Sequence, residues 1–84
     1  MNDTEILALI RDALKDVAPN RASEWDTVAL DKSIEQLSLD SIATMEMVGF
    51  LEDKTEATFP DEELAKVNSL GDLASLVRAG RVSA

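Results

Sequence analysis

Asp40 and Ser41 are the adjacent pair whose types and position suit chemistry: a hydroxyl directly after a carboxylate, where a long irregular stretch gives way to helical periodicity. A phosphodiester on that hydroxyl would lie near unsatisfied N–H groups and the positive end of a helix dipole, both of which stabilise an anion. The same residues also make an ordinary helix start, with Asp40 as N-cap and Ser41 in the first turn, and the Asp-Ser-Ile triplet alone favours that plainer reading. The remaining inventory excludes more than it offers. With no Cys and no His in 84 residues there is no disulfide framework, no thiolate or imidazole metal site, no Cys nucleophile and no Ser-His couple. Carboxylate pairs exist, but nothing in the sequence builds a pocket around one. No catalytic residue and no metal ligand is assigned, and the chain reads as a non-enzyme.

The elements that must position Ser41 follow from periodicity. Asn2 to Val17 has helical spacing at Ile6, Ile10, Ala13, Leu14 and Val17, with Asn2 and Glu5 placed for a capping box. Pro19 stops it at Ala18. From Pro19 to Asp40 the pattern is lost, and about twenty residues without structure need anchors in a compact domain. Trp25, Val28, Leu30, Ile34 and Leu37 can supply them, and Ser33 to Gln36 suits a short turn. Asp40 opens a second helix to about Lys54. At 100° per residue Met47, Val48 and Leu51 share a core arc, while Ile42, Glu46, Gly49 and Asp53 lie opposite with Met45 and Glu52 along the edge. Phe59-Pro60-Asp61-Glu62-Glu63 starts a short third helix. A Ser69-Leu70-Gly71-Asp72 box opens the last, with Leu70, Leu73, Ala74 and Val77 inward and Gly80 as its stop. With no strand alternation and no internal repeat, the expected fold is all-α. It is a four-helix bundle of three main helices and one short helix, with a long loop between the first two, forming a single domain over residues 1–84.

Charge sharpens the picture. The formal net charge is -9, which disfavours nucleic acid and anionic membrane surfaces. Residues 35–63 hold nine acids and one base, giving -8, whereas the other 55 residues total -1. Such a face can simply be solvated, or it can steer basic partners. Exposed Ile42 and Met45 beside the acids favour docking, because a face meant only for water has no use for them. The acidic amino terminus lacks a secretory pattern, and no apolar run approaches the ~20 residues of a membrane span. The expected address is therefore the cytoplasm. A chain this short is expected near the low end of the ~5–15 kcal/mol stability range.

The run Leu37-Ser38-Leu39-Asp40-Ser41-Ile42-Ala43-Thr44-Met45-Glu46-Met47-Val48, then Leu51-Glu52-Asp53 and Phe59-Pro60-Asp61-Glu62-Glu63, closely resembles the acyl carrier proteins of fatty-acid and polyketide synthesis. The resemblance aligns without gaps from about Leu37 to Leu70, and the flanking helices follow the family's order. It implies that Ser41 carries 4'-phosphopantetheine, whose thiol holds acyl groups as thioesters, and that Asp40 is the acid of the attachment motif. It implies a partner face of Ile42, Met45, Glu46, Gly49, Glu52 and Asp53. The implied partners are a phosphopantetheinyl transferase and an acyltransferase, acyl ligase or ketosynthase with a basic docking patch, working on a monomeric carrier. Ile42 departs from the family's usual Leu, Ser38 from its frequent Gly, Thr55 from its frequent Phe and Gln36 from a frequent acid; Phe50 is available to fill the space at Thr55. Exposed ion pairs on such a face are worth ~0.2–1 kcal/mol each, which suits transient docking. The helical core can also admit part of an apolar chain, with Met45 and Met47 adaptable enough to line it or simply to pack. An aminoacyl, peptidyl or D-alanyl carrier, or an unmodified acidic helical adaptor, are the competing readings.

Overall fold

The computed structural model describes residues 2–79; Gly80, the expected stop of the last helix, lies outside them. Helix α1 (Asp3–Val17) begins with the expected reciprocal cap: Asn2 Oδ1 accepts from Glu5 N–H at 2.9 Å and Glu5 Oε1 from Asn2 N–H at 3.0 Å. Its stripe of Ile6, Ile10, Ala13 and Leu14 is wholly buried, and α1 packs against each of the other long helices. The helix ends where Ala18 N–H returns to Leu14 O, immediately before Pro19.

The stretch from Pro19 to Asp40 is more ordered than the expected loop. Pro19–Arg21 forms a 3-10 turn and Ala22–Trp25 a one-turn helix, α2. Four residues are too few to show a helical period, so only tertiary contacts could reveal α2. Trp25 is buried, donates Nε1–H to Ala18 O at 3.0 Å, and has the Arg21 guanidinium 4.4 Å over its ring. Arg21 also grips Glu24 with two nitrogens, which holds the Glu24 carboxyl below the usual range. Further on, Arg11 of α1 donates from both Nε (3.2 Å) and Nη2 (2.8 Å) to Val28 O.

The second half of this stretch is stitched to the far end of the chain. Gly71 N–H bonds Leu30 O at 2.7 Å, Leu70 N–H bonds Lys32 O, and Ile34 N–H bonds Asn68 O, with Ser33 and Ser69 forming an isolated β-bridge. A side chain at Gly71 would place its Cβ 3.2 Å from Leu30 O, so the close backbone approach requires a glycine or a shift. Ser33 and Gln36 cap one another reciprocally and open the 3-10 turn Glu35–Leu37. That turn inserts a fully buried Leu37 into the core and ends at Ser38, a non-glycine in the left-handed region with φ 55°.

Helix α3 (Ser41–Thr55) places Met47 and Leu51 in the core and Val48 at its edge. At Thr55, the hydroxyl is satisfied by Leu51 O, and Phe50 packs at the core margin beneath Lys54. Helix α4 (Asp61–Leu64) has no buried residue. Helix α5 (Leu70–Ala79) carries the expected box: Asp72 N–H donates to Ser69 Oγ, and Asp72 Oδ2 accepts from Asn68 and Ser69 N–H. Those backbone donors, Asn68 first, hold the Asp72 carboxyl below the usual range. Leu70, Leu73, Ala74 and Val77 close the core. The described residues contain no extended strand, and the fold is the all-α bundle the sequence implies, with α2 as an addition inside the long loop.

Candidate functional site

The site is built around the first turn of α3. Asp40, in extended conformation, accepts Ala43 N–H on its carboxylate at 2.7 Å, while its carbonyl accepts Thr44 N–H at 3.0 Å and Thr44 Oγ1–H at 2.9 Å. Asp40 is therefore the N-cap that its position implies. Ser41 is exposed, and its hydroxyl takes part in no hydrogen bond among the described residues. The backbone N–H groups of Ser41 and Ile42 likewise have no protein acceptor there. An unengaged hydroxyl beside two unfilled N–H donors suits a covalently attached phosphodiester, whose oxygens would meet the positive end of the helix.

The arc expected to face outward does so. Ile42 is 72% and Met45 73% exposed, and Glu46, Gly49 and Asp53 are exposed with them. A Cβ at Gly49 would meet nothing within 4 Å, so this glycine leaves the face low without being needed for packing. Glu52 is the exception on this surface. It is half-buried, and its Oε2 accepts from Phe59 N–H at 2.7 Å, so part of its carboxylate is used inside the molecule.

One turn along α3 from Ser41 opens a cleft of about 510 Å³ between α3 and α4, lined by Thr44, Met45, Val48, Glu52, Phe59, Asp61, Leu64 and Ala65. A smaller cavity of about 90 Å³ lies deeper, against Ile34, Met47, Val67 and Leu73. Thr44, Val48 and Leu64 border both. The two methionines thus have different duties: Met45 borders the outer cleft, whereas buried Met47 faces only the inner cavity. Thr44 and Phe59 escaped the sequence reading as site residues. Thr44 lies four and seven residues before Val48 and Leu51, a helical spacing that would have placed it on their side; its hydroxyl is made compatible with that side by its bond to Asp40 O. Phe59 carried no such signal, because its placement depends on the link after α3.

A small helical bundle presents an unengaged serine in the first turn of its acidic helix, an arrangement compatible with a domain that carries a covalently attached group. The family model for the phosphopantetheine attachment site matches residues 4–77. An acyl carrier protein of Exiguobacterium sibiricum is 33% identical over 78 residues, covering 92% of this chain and 95% of that protein. An acyl carrier protein homolog of Mycoplasma pneumoniae is 31% identical over 78 residues, covering 93% and 90%, and the acyl carrier protein of Rhodococcus erythropolis is 32% identical over 75, covering 88% and 79%. No solved structure gives a significant match. The chain belongs to the acyl carrier protein family of phosphopantetheine-bearing domains. Its cofactor is covalently attached 4'-phosphopantetheine, and carriers of this family are generally non-catalytic.

Proposed function

We propose that Ser41 is the attachment serine and that residues 1–84 act as one cytoplasmic acyl carrier in fatty-acid or polyketide synthesis, shuttling intermediates between enzymes. The observation that carries this reading is the exposed, hydrogen-bond-free Ser41 hydroxyl in the first turn of α3, directly after a capping Asp40. When bound, phosphopantetheine supplies the thiol that forms a thioester with the acyl group, a chemistry the chain cannot supply because it has no cysteine. The chain's own residues do the rest. Asp40 fixes the first turn, the Ser41 and Ile42 N–H groups receive the phosphodiester, and Ile42, Met45, Glu46, Gly49 and Asp53 meet partners. These partners are a phosphopantetheinyl transferase and acyltransferases, ligases or ketosynthases bearing Lys or Arg patches. Delivery on a flexible arm then becomes intramolecular once the carrier docks. The cleft bordered by Thr44, Met45 and Val48 offers an apolar cargo shelter between dockings.

The test is incubation with a phosphopantetheinyl transferase and coenzyme A followed by intact-mass measurement. The wild type is expected to gain one phosphopantetheine, and Ser41→Ala to gain none while keeping its helical circular dichroism. A wild type that gains nothing, or a Ser41→Ala chain that still loads, overturns the assignment.

A further inference from the structure

Glu52 makes more internal bonds to the link after α3 than any acid of its face. Its backbone carbonyl accepts both Glu56 N–H and Ala57 N–H, and its side-chain Oε2 accepts Phe59 N–H at 2.7 Å. One residue thus fastens three donors, at Glu56, Ala57 and Phe59, of the chain between α3 and α4. That link needs fastening, because it turns through Glu56, a non-glycine at φ 53°, a conformation that L residues occupy at a cost. It also sets where α4 lies. No residue of α4 is fully buried and only Leu64 packs against the core, whereas the adjacent Phe59 is only 3% exposed. Phe59, Asp61, Leu64 and Ala65 line the 510 Å³ cleft from the link and α4, and Glu52 lines it from α3.

We propose that Glu52 is a positioning residue, a latch whose carboxylate holds Phe59 and α4 closed over the cleft, and that a docking partner's guanidinium or ammonium group opens the cleft by drawing that carboxylate away. The charge needed for this competition is present. Glu52 lies on the edge of the acidic face beside exposed Asp53, so a cation attracted to the face reaches a carboxylate already committed to one backbone donor. A cation that wins it leaves Phe59 N–H without its acceptor. The link then loses one of its three ties, at a residue that lines the cleft. Docking and release of a sheltered cargo become the same event. This use of the latch rests on the cleft receiving cargo, as proposed above; the latch itself does not, and can be measured on the unloaded chain.

The experiment follows the amide exchange of Phe59 by NMR in the unloaded protein, with Leu14 of α1 as an internal reference. Glu52→Ala is expected to speed Phe59 exchange about tenfold, the scale of one lost hydrogen bond, with Leu14 unchanged. Glu52→Gln keeps an acceptor oxygen and is expected to restore protection to within about threefold of wild type. Saturating tetra-arginine peptide, its binding followed by amide shifts at Glu46 and Asp53, is expected to speed Phe59 exchange in wild type and in Asp12→Asn, altered outside the face, but not in Glu52→Gln. Unchanged Phe59 exchange in a folded Glu52→Ala chain overturns the latch. Should Glu52→Ala fail to fold, the Gln variant and the peptide decide. A peptide that leaves Phe59 unaffected, acts equally on Glu52→Gln, or shifts nothing on the face overturns the coupling. Failure of Ser41 to load would leave these exchange results standing, so the two proposals fail separately.

Discussion

Helices α1 and α3 are each fifteen residues long and pack against one another, yet they spend their side chains differently. In α1 the apolar residues form one stripe, four of them completely buried, and the opposite side is polar. In α3 only Met47 and Leu51 are buried, while Ile42 and Met45 stand almost three-quarters exposed among carboxylates. Their amino termini differ too. The first-turn donors of α5 are all taken, Leu70 N–H by Lys32 O, Gly71 N–H by Leu30 O and Asp72 N–H by Ser69 Oγ, whereas the Asn2–Glu5 box of α1 closes Glu5 N–H and the cap's own N–H and leaves Asp3 and Thr4 N–H without a protein acceptor among the described residues. At α3, Asp40 takes Ala43 N–H, but residue 43 is an alanine and cannot reciprocate. The helices that hold the bundle together turn their apolar groups inward; the helix proposed to meet partners leaves apolar groups and charge outward. The larger share of the buried stripe lies in one long helix, and the proposed function is carried by the other.

Substitutions can break or sharpen that division. Beyond the complete loss of loading expected for Ser41→Ala, the largest contrast is in stability. Leu14→Ala removes a fully buried side chain of α1 and is expected to cost about 2–5 kcal/mol, a large part of the stability of so small a domain. Ile42→Ala on α3 is expected to cost within about 0.5 kcal/mol because the side chain is exposed. Chemical denaturation of both variants measures this; comparable losses would erase the division of labour.

A medium effect concerns encounter. Glu46→Lys and Asp53→Lys are expected to slow loading by the transferase roughly three- to tenfold at low ionic strength, with unfolding midpoints near wild type. The difference should shrink as salt rises, since the screening length falls from about 10 Å at 0.1 M to about 3 Å at 1 M. The same reversal at Asp12, on the exposed side of α1, should leave the rate near wild type. Equal slowing from both helices would show that total charge matters and the face does not.

The smallest effect is at the cap of α5. Because Asp72 has its carboxyl depressed in the folded state by bonds from Asn68 and Ser69 N–H, its stabilising contribution is present above the unfolded value. It is lost as pH falls through the lower folded value, a window beginning below about pH 4. Asp72→Asn keeps an acceptor that does not titrate. Its melting temperature should therefore fall less steeply than wild type's between neutral pH and pH 3, and identical slopes would remove the carboxylate from the account.

Much of this was legible before folding was considered. The buried stripe of α1, the caps at Asn2, Asp40 and Ser69, the core arc of α3 and its exposed opposite arc all follow from 3.6-residue periodicity and side-chain acceptors three residues from their donors. These are local relations, written in the residues that make them. The expected role of Glu52 on the partner face is the instructive case. Its spacing places it at the edge of that arc, but no pattern announces that its carboxylate reaches Phe59 N–H seven residues on.

The same limit applies to α2, to the bonds from Arg11 to Val28 O and from Trp25 to Ala18 O, and to the pairing of residues 30–34 with 68–71. In each the acceptor is a main-chain carbonyl, or the donor a main-chain amide, and every residue carries nearly the same ones. Sequence alone determined which helices other than α2 form, where Ser41 stands at the start of one, and where the negative charge collects. Only the tertiary structure decided how the long connection is strapped down, which acid is withdrawn from the face, and that a cleft opens beside Met45. Those outcomes depend on backbone groups brought together from distant parts of the chain, and side-chain identity does not label them.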